Sequence, residues 1–495
     1  MAGTAALQRL AACLWTLLDW TGAALCHPLV AVLQVAGALA LGGLGAGWIL
    51  ATQKRSGEAK RLREERIYGR PRPAQAFDLP AVSVILPVRG VHSHSCSNWT
   101  SHLRAEYKGP LEFIFVVDSA KDSAVPELKQ LFRDHPDVNA SVEISGPATT
   151  CSQKIHNQHY GLCRSARDSK YVLFLDDDVQ LHPRSIQLLA EVLELDSSKF
   201  MATGFPFDIP PVDSGLPVYC IMAFHMPLLI AFSVCQETKF VWGGCMMIRR
   251  EALDTDAYGI LEAWTDGGYS DDLIVAAKCS EHNLRIAAPL TAVFPQRLDA
   301  VCSWSSFWNY LRRQMFVLDT YASSQNRRIN YSLAAAHFVA SCAVALPILE
   351  ALLRVVLWQI ELVLVLTRHV FSGEDASLDW PRAFQLSSCS AQSWGTVAYL
   401  VIWLVAHIGF MRMTGAIFDL FRELSPEADV REVDFMHFVR FWAGMVVSNL
   451  TLPVCLAYTM LHDRVTWSEV SYVKSGGKVV CKGRETSGRE WKLPP

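Results

Sequence analysis

Residues 171–183 read YVLFLDDDVQLHP. Five apolar or aromatic residues run straight into Asp176, Asp177 and Asp178. A short unbroken apolar run suits a strand buried on both faces, as in a parallel sheet covered by helices. The three carboxylates that end it repel one another. At 4 Å each pair costs about 4 kcal/mol with an effective dielectric near 20. Such a cluster is tolerable where a cation sits. A hard divalent ion, Mg2+ or Mn2+, takes oxygen ligands, usually one or two carboxylates completed by substrate phosphates. If the strand's alternation continues, Asp176 and Asp178 face one way and can share that ion, while Asp177 faces away. The plainer alternative is an Asp-rich turn.

Outward from this run the rhythm repeats. AVSVILPVR (81–89) and LEFIFVVDS (111–119) are apolar, β-branched stretches, separated from KYVLFLDDD by helix-like segments at 123–134 and 152–167. The alternation predicts an α/β, doubly wound fold, in which ligands sit beyond the carboxyl ends of the strands. Asp118 and Asp176–Asp178 fall at such ends. TCSQKIHNQ (150–158) places Lys154 on a helix face, either as a phosphate partner or as a surface lysine. DGGYSDD (266–272) sets Asp271 and Asp272 at a helix start, where a carboxylate also serves as a cap. SFWNYLRRQMFVLDTY (306–321) is aromatic and basic. It can lie in a membrane interface, or aim Arg312 and Arg313 at a diphosphate. Phosphatases of the haloacid dehalogenase kind also carry D-x-D after a strand, but usually the first strand; here it follows about the third.

The chain has 495 residues, 51% of them hydrophobic, with 45 basic against 48 acidic side chains. No basic excess points to nucleic acid. PLVAVLQVAGALALGGLGAGWIL (28–50) carries no charge, and its 23 residues span about 35 Å as a helix, enough to cross a bilayer core. Lys54, Arg55, Lys60, Arg61, Arg63, Arg66, Arg70 and Arg72 follow. The positive-inside rule puts that flank in the cytosol. Apolar runs return at 332–366, 394–412 and 436–461. Glu350 and Arg354, four apart within the first of these, can pair on one helix face. The 14 cysteines are scattered and read as small buried hydrophobes in a reducing compartment, not as a disulfide framework.

Taken in order, VVDS, TCSQKIHNQ, YVLFLDDDV, WGGCMM, DGGYSDD, WNYLRRQ and LSPEA (424–428) resemble the ceramide glucosyltransferases, most closely the plant-type enzymes. The resemblance covers most of the chain and rests on several long strings. It implies a GT-A fold and transfer of glucose from UDP-glucose to the primary hydroxyl of ceramide, with inversion. It implies that Asp118 lies near the nucleotide and Lys154 at the donor site. Asp176 and Asp178 then form the metal site, and Asp272 is the general base. Arg312, Arg313 and Gln314 fall near the family's (Q/R)-x-x-R-W element, but Met315 or Phe316 stands where its tryptophan belongs. His225, Trp242 and Cys245 are acceptor-side candidates; a structural histidine and an inert core cysteine are the plain readings of two of them. A processive polysaccharide synthase of similar fold is the first alternative, and an inactive membrane scaffold the second. The expected organisation is an anchor over 1–52 and a cytosolic catalytic domain over 53–330, ending in an interfacial helix. A transmembrane cluster over 331–465 and a basic tail over 466–495 follow. The expected location is the Golgi or endoplasmic reticulum membrane.

Overall fold

A computed structural model of the protein describes residues 20–68, 78–372, 390–426 and 435–484, with four more before Trp20. Arg70, Arg72, the end of LSPEA and tail residues 485–495 lie outside the described residues. Two compact units result: Met1–Trp48 with Phe338–Phe410, and Ile49–His337 with Met411–Pro495.

The first unit is helical. Among the described residues four helices are long and apolar enough to cross a membrane: Pro28–Tyr68, Ser324–Leu366, Gln392–Leu424 and Phe435–Leu461. Within this unit several polar groups form one network. The expected Glu350–Arg354 ion pair forms. Arg354 also donates to the Leu25 carbonyl at 2.9 Å, and Thr396 donates to Glu350 at 3.0 Å. Gln34 donates to Thr396 Oγ1 at 2.9 Å and to the Gln392 carbonyl at 3.0 Å. A charge in hydrocarbon is costly unless partnered, and this network supplies the partners. Cys26 is disulfide-bonded, which corrects the expectation that no cysteine is oxidised. It lies at the opposite end of the first apolar run from the basic flank.

The second unit is built on an eight-stranded sheet. Its strands are β1 Val82–Pro87, β2 Leu111–Val117, β3 Ala140–Ile144, β4 Tyr171–Leu175, β5 Lys199–Thr203, β7 Glu237–Thr238, β8 Cys245–Arg249 and β9 Arg285–Ala287. Two others, β6 Phe205–Ile209 and β10 Val293–Arg297, pair separately. The order across the large sheet is β3-β2-β1-β4-β8-β5-β9-β7. The β3-β2-β1-β4 half is parallel, as expected. The other half is mixed, because β8 runs antiparallel to both β4 and β5. Cys245 sits opposite Leu175, so β8 begins at the carboxyl end of β4 and has to run back.

Strand β4 is buried on both faces. Tyr171, Leu173 and Leu175 join Val82, Val84 and Leu86 in one core cluster. Val172 and Phe174 join Ile85, Ile114 and Val116 in the other. Burying each such side chain contributes about 1.5–3 kcal/mol, which holds the strand end and its carboxylates in place. The helix Gln153–Arg164 begins at Ser152, whose hydroxyl accepts from the Ile155 amide.

The segment expected as a tail folds. Arg464–Trp467, Val470–Ser475 and Lys478–Arg484 form a three-stranded antiparallel sheet. Val465, Val470, Tyr472 and Val479 supply its buried face, packed on Tyr269 and Phe316. Gly476 and Gly477, both at positive φ, make the tight turn between the last two strands.

Candidate active site

The carboxyl ends of β1, β2 and β4 open into a cleft of about 610 Å³. Asp118, Lys154, Asp176, Asp177, Asp178 and Arg313 all line it. At its centre, Lys154 Nζ lies 2.7 Å from Asp176 and 3.2 Å from Asp271, and donates to the Gly243 carbonyl at 3.2 Å. One cation thus joins the end of β4 to the start of the helix Asp271–Glu281. Gln158 donates a further bond to Asp271 at 2.7 Å. Gly243 is a glycine because a Cβ there would stand 2.6 Å from the Asp271 carboxylate. Burial works to discharge Lys154, but Asp176 and Asp271 outweigh it and hold the ammonium well above its ordinary pKa.

The strand ends at Leu175, so the aspartates follow in a turn rather than by strand alternation, and each finds its own partner. Asp178 accepts from Gln296 at 2.8 Å. Asp177 turns to the Trp99 indole N–H at 3.3 Å. Burial raises the pKa of Asp176 and of Asp178, the first further lifted by Asp178 and Asp271, in both cases against the pull of Lys154. Asp177 is raised by burial and then by its two neighbours. The site therefore carries negative charge that the protein only partly compensates. Among the described residues no three His, Cys, Asp or Glu side chains form a ready metal cage. Two carboxylates at one rim do suit a divalent cation whose remaining positions go to water and phosphate oxygens.

Asp118 is gripped by Arg89, whose Nη1 lies 2.8 and 2.7 Å from its two oxygens. Asp272 is held at the start of the helix Asp271–Glu281. It accepts from the Gly243 amide at 3.2 Å, from the Leu273 amide at 2.8 Å and from the Ser270 hydroxyl. Burial, then Asp271, raises its pKa.

Of the other expected residues, Arg312 faces away from the cleft. It donates to the Arg464 carbonyl at 2.6 Å and lies over the Tyr458 ring. Gln314 does not line the cleft. His225 pairs with buried Asp208 at 3.1 Å and packs on Phe205. Trp242 packs on Phe205 and Phe294 and leaves no room for a side chain at Gly244. Cys245 is fully buried in the core, and burial pushes its thiol up. Among the lining residues that were not expected are Arg89, Gln296, Trp467 and Tyr472. The first two stand just beyond or at strand ends, where the same rule that found Asp118 applies. The last two belong to the C-terminal sheet, whose alternating VTW and VSYV were legible as strands.

Residues 38–403 match the description of glycosyl transferase family 21. The chain belongs to glycosyl transferase family 21. Its second unit is α/β, with a parallel half-sheet as the resemblance implies. Two curated relatives from Caenorhabditis elegans are similar over shorter stretches. Ceramide glucosyltransferase 3 is 27% identical over 180 residues, 36% of this chain and 38% of its own length. Ceramide glucosyltransferase 1 is 26% identical over 131 residues, 26% of this chain and 27% of its own length. The chain thus matches well under half the length of these relatives. Solved structures are similar at greater distance. The mannosyltransferase PcManGT from Pyrobaculum calidifontis, in complex with GDP-Man and Mn2+, is 14% identical with a TM-score of 0.37, covering 77% of this chain and 99% of its own. GalNAc-T7, with UDP, GalNAc and Mn2+, is 12% identical with a TM-score of 0.33, covering 48% of each chain.

Proposed function

We propose that this family 21 enzyme transfers glucose from UDP-glucose to the primary hydroxyl of ceramide, with inversion at the anomeric carbon. The observation that carries the reading is the meeting of Asp176, Asp178, Lys154 and Arg313 around one cleft at the sheet edge. Four charged groups of that kind suit a nucleoside diphosphate sugar better than a neutral ligand. The relatives' names and the matched strings favour ceramide as acceptor and glucose as the donated sugar.

Asp176 and Asp178 would hold a divalent cation, which when bound supplies positive charge beside the leaving diphosphate. Asp118, fixed by Arg89, stands where the nucleoside end of the donor enters. Arg313 adds charge on the opposite wall. Asp272 takes the proton of the attacking hydroxyl in a single displacement. The Gly243 and Leu273 amides and the Ser270 hydroxyl hold that carboxylate in one orientation, and its raised pKa makes it a stronger base. His225, Trp242 and Cys245 do not line the cleft and bear on the acceptor indirectly. The catalytic unit faces the cytosol from a Golgi or endoplasmic reticulum membrane, where a lipid acceptor stays in the bilayer.

The test is incubation of membranes containing the protein with labelled UDP-glucose and ceramide, followed by identification of the lipid product. A β-linked glucosylceramide is expected. Hydrolysis of the donor with no labelled lipid, or growth of a polymer, overturns the reading.

A further inference from the structure

We infer that the helix Phe435–Leu461 does not cross the membrane but lies along its surface, on the same side as the catalytic cleft. By length and composition it is one of four candidate spans. Its 27 residues reach about 40 Å, so a crossing helix of that length would leave its ends on opposite faces of a bilayer.

Both ends are instead tied to the catalytic unit. Before the helix, the Ser425 hydroxyl donates to His182 Nδ1 at 2.7 Å, while His182 Nε2–H donates to the Val293 carbonyl of β10. After it, the chain passes directly into the sheet Arg464–Arg484. There Asn309 and Arg312 donate to the Thr466 and Arg464 carbonyls, and Trp467 lines the cleft. Between the ends the helix is packed on catalytic elements along its length. The Tyr219 ring lies 5.4 Å from His437. Gly444 meets the Tyr219 backbone so closely that a Cβ would come within 2.6 Å of its carbonyl. Leu452, Cys455 and Leu456 cluster with Phe307, Leu311 and Met315 of the helix Trp304–Val317.

The opposite face identifies the partner as lipid. Phe435, Val439, Trp442, Val454 and Leu461 are exposed, Leu461 by 84%. At 100° per residue they fall on one side, across from the buried Phe441, Gly444, Ser448, Leu452 and Cys455. The helix carries one formal charge, Arg440, which is spent on the Val212 carbonyl. A face this apolar on a chain already threaded through a bilayer is covered by that same bilayer. Three crossings then put the two ends of the chain on opposite sides of the membrane, whichever reaction the cleft performs.

The test is protease protection of the full chain in sealed microsomes, with one tag at each terminus. Three crossings expect one tag digested and the other protected. Both digested, or both protected, means an even number of crossings and overturns the inference. A second measurement reads the helix directly. Nitroxides at Val439→Cys and Val454→Cys, in protein reconstituted in phosphatidylcholine vesicles, should show the same shallow depth. Depths that differ by most of the bilayer core also overturn it.

Discussion

The guanidinium of Arg313 lies over the indole of Trp467, 5.6 Å from the ring centroid, and over the Tyr310 ring at 5.8 Å. Among the described residues no carboxylate pairs with Arg313, and its Nε is buried without a hydrogen-bond partner. Two other cations lining the cleft are committed, Lys154 to Asp176 and Asp271 and Arg89 to Asp118 and Glu469. Arg313, held by rings that do not neutralise it, is thus a charge open to a ligand, with the exposed Arg297 at the rim. The helix that carries it lacks a tryptophan after the arginines, and the C-terminal sheet brings one instead. A desolvated cation–π contact is worth about 1–2 kcal/mol, a 5- to 30-fold effect. Trp467→Leu should raise the UDP dissociation constant by roughly tenfold, and Trp467→Phe by much less. Equal affinities in titration calorimetry would remove Trp467 from the donor site.

Asp272 makes the second prediction. Its pKa is raised by burial and by Asp271. A base works only when deprotonated, so transfer should fall as pH drops through that raised pKa. The acid limb of kcat should therefore stand above the ordinary carboxylate range. Asp272→Asn should abolish turnover and leave UDP affinity within about threefold, because the groups placed at the diphosphate are Lys154 and Arg313 rather than Asp272. An active Asp272→Asn enzyme would shift the role to Asp271, which already meets Lys154 and Gln158.

How much of this was readable beforehand depends on whether a feature is local. Strand β4 and its aspartates were legible because burial on both faces and the repulsion at 176–178 are written into consecutive residues. The Glu350–Arg354 pair was legible because four residues make a helix turn. The antiparallel β8 was not, since its direction follows from where the chain re-enters the sheet after a long excursion. Arg312 and Arg313 are adjacent, and only the fold decides which faces the cleft. The Lys154–Asp271 contact joins positions far apart in sequence. Trp467 was hidden behind the expectation of a tail, although the alternation around Gly476–Gly477 marks a hairpin.

Lys154 gives a third prediction. Without it, Asp176 and Asp271 would face each other with no cation between them. Removing one partner of a fully buried pair costs about 3–5 kcal/mol. Asp176 is 27% exposed, so about 1–3 kcal/mol is expected here. Lys154→Met should lower the thermal midpoint in detergent and weaken UDP binding, and Lys154→Arg should recover most of the stability. A Lys154→Met protein as stable as the parent would mean that solvent already screens the two carboxylates.

Removal of divalent ions is the fourth. If Asp176 and Asp178 hold a cation, chelation should stop transfer, and Mg2+ or Mn2+ should restore it. Asp178→Asn should raise the metal concentration needed for half-maximal activity by an order of magnitude or more. Gln296→Leu, which frees Asp178 of its one side-chain donor, should raise it less. Transfer that survives exhaustive chelation would leave the cluster to Lys154 alone.

Two buried histidines set the acid limit of the fold. His102 has its Nε2 at 2.8 Å from the Val179 carbonyl and its Nδ1 buried without a partner. His182 bridges the Val293 carbonyl and the Ser425 hydroxyl. Burial lowers each to about 4, against an ordinary value of 6.5. Between those pH values the unfolded chain binds protons that the native state refuses. The stability each contributes is therefore present above pH 6.5 and is lost as pH falls toward 4, by as much as about 3 kcal/mol apiece. The thermal midpoint should drop steeply from pH 7 to pH 5. His102→Gln, which keeps a donor for Val179 but cannot titrate, should be less stable at pH 7 and show a shallower drop. A slope identical to the parent's would mean that His102 does not control the acid transition.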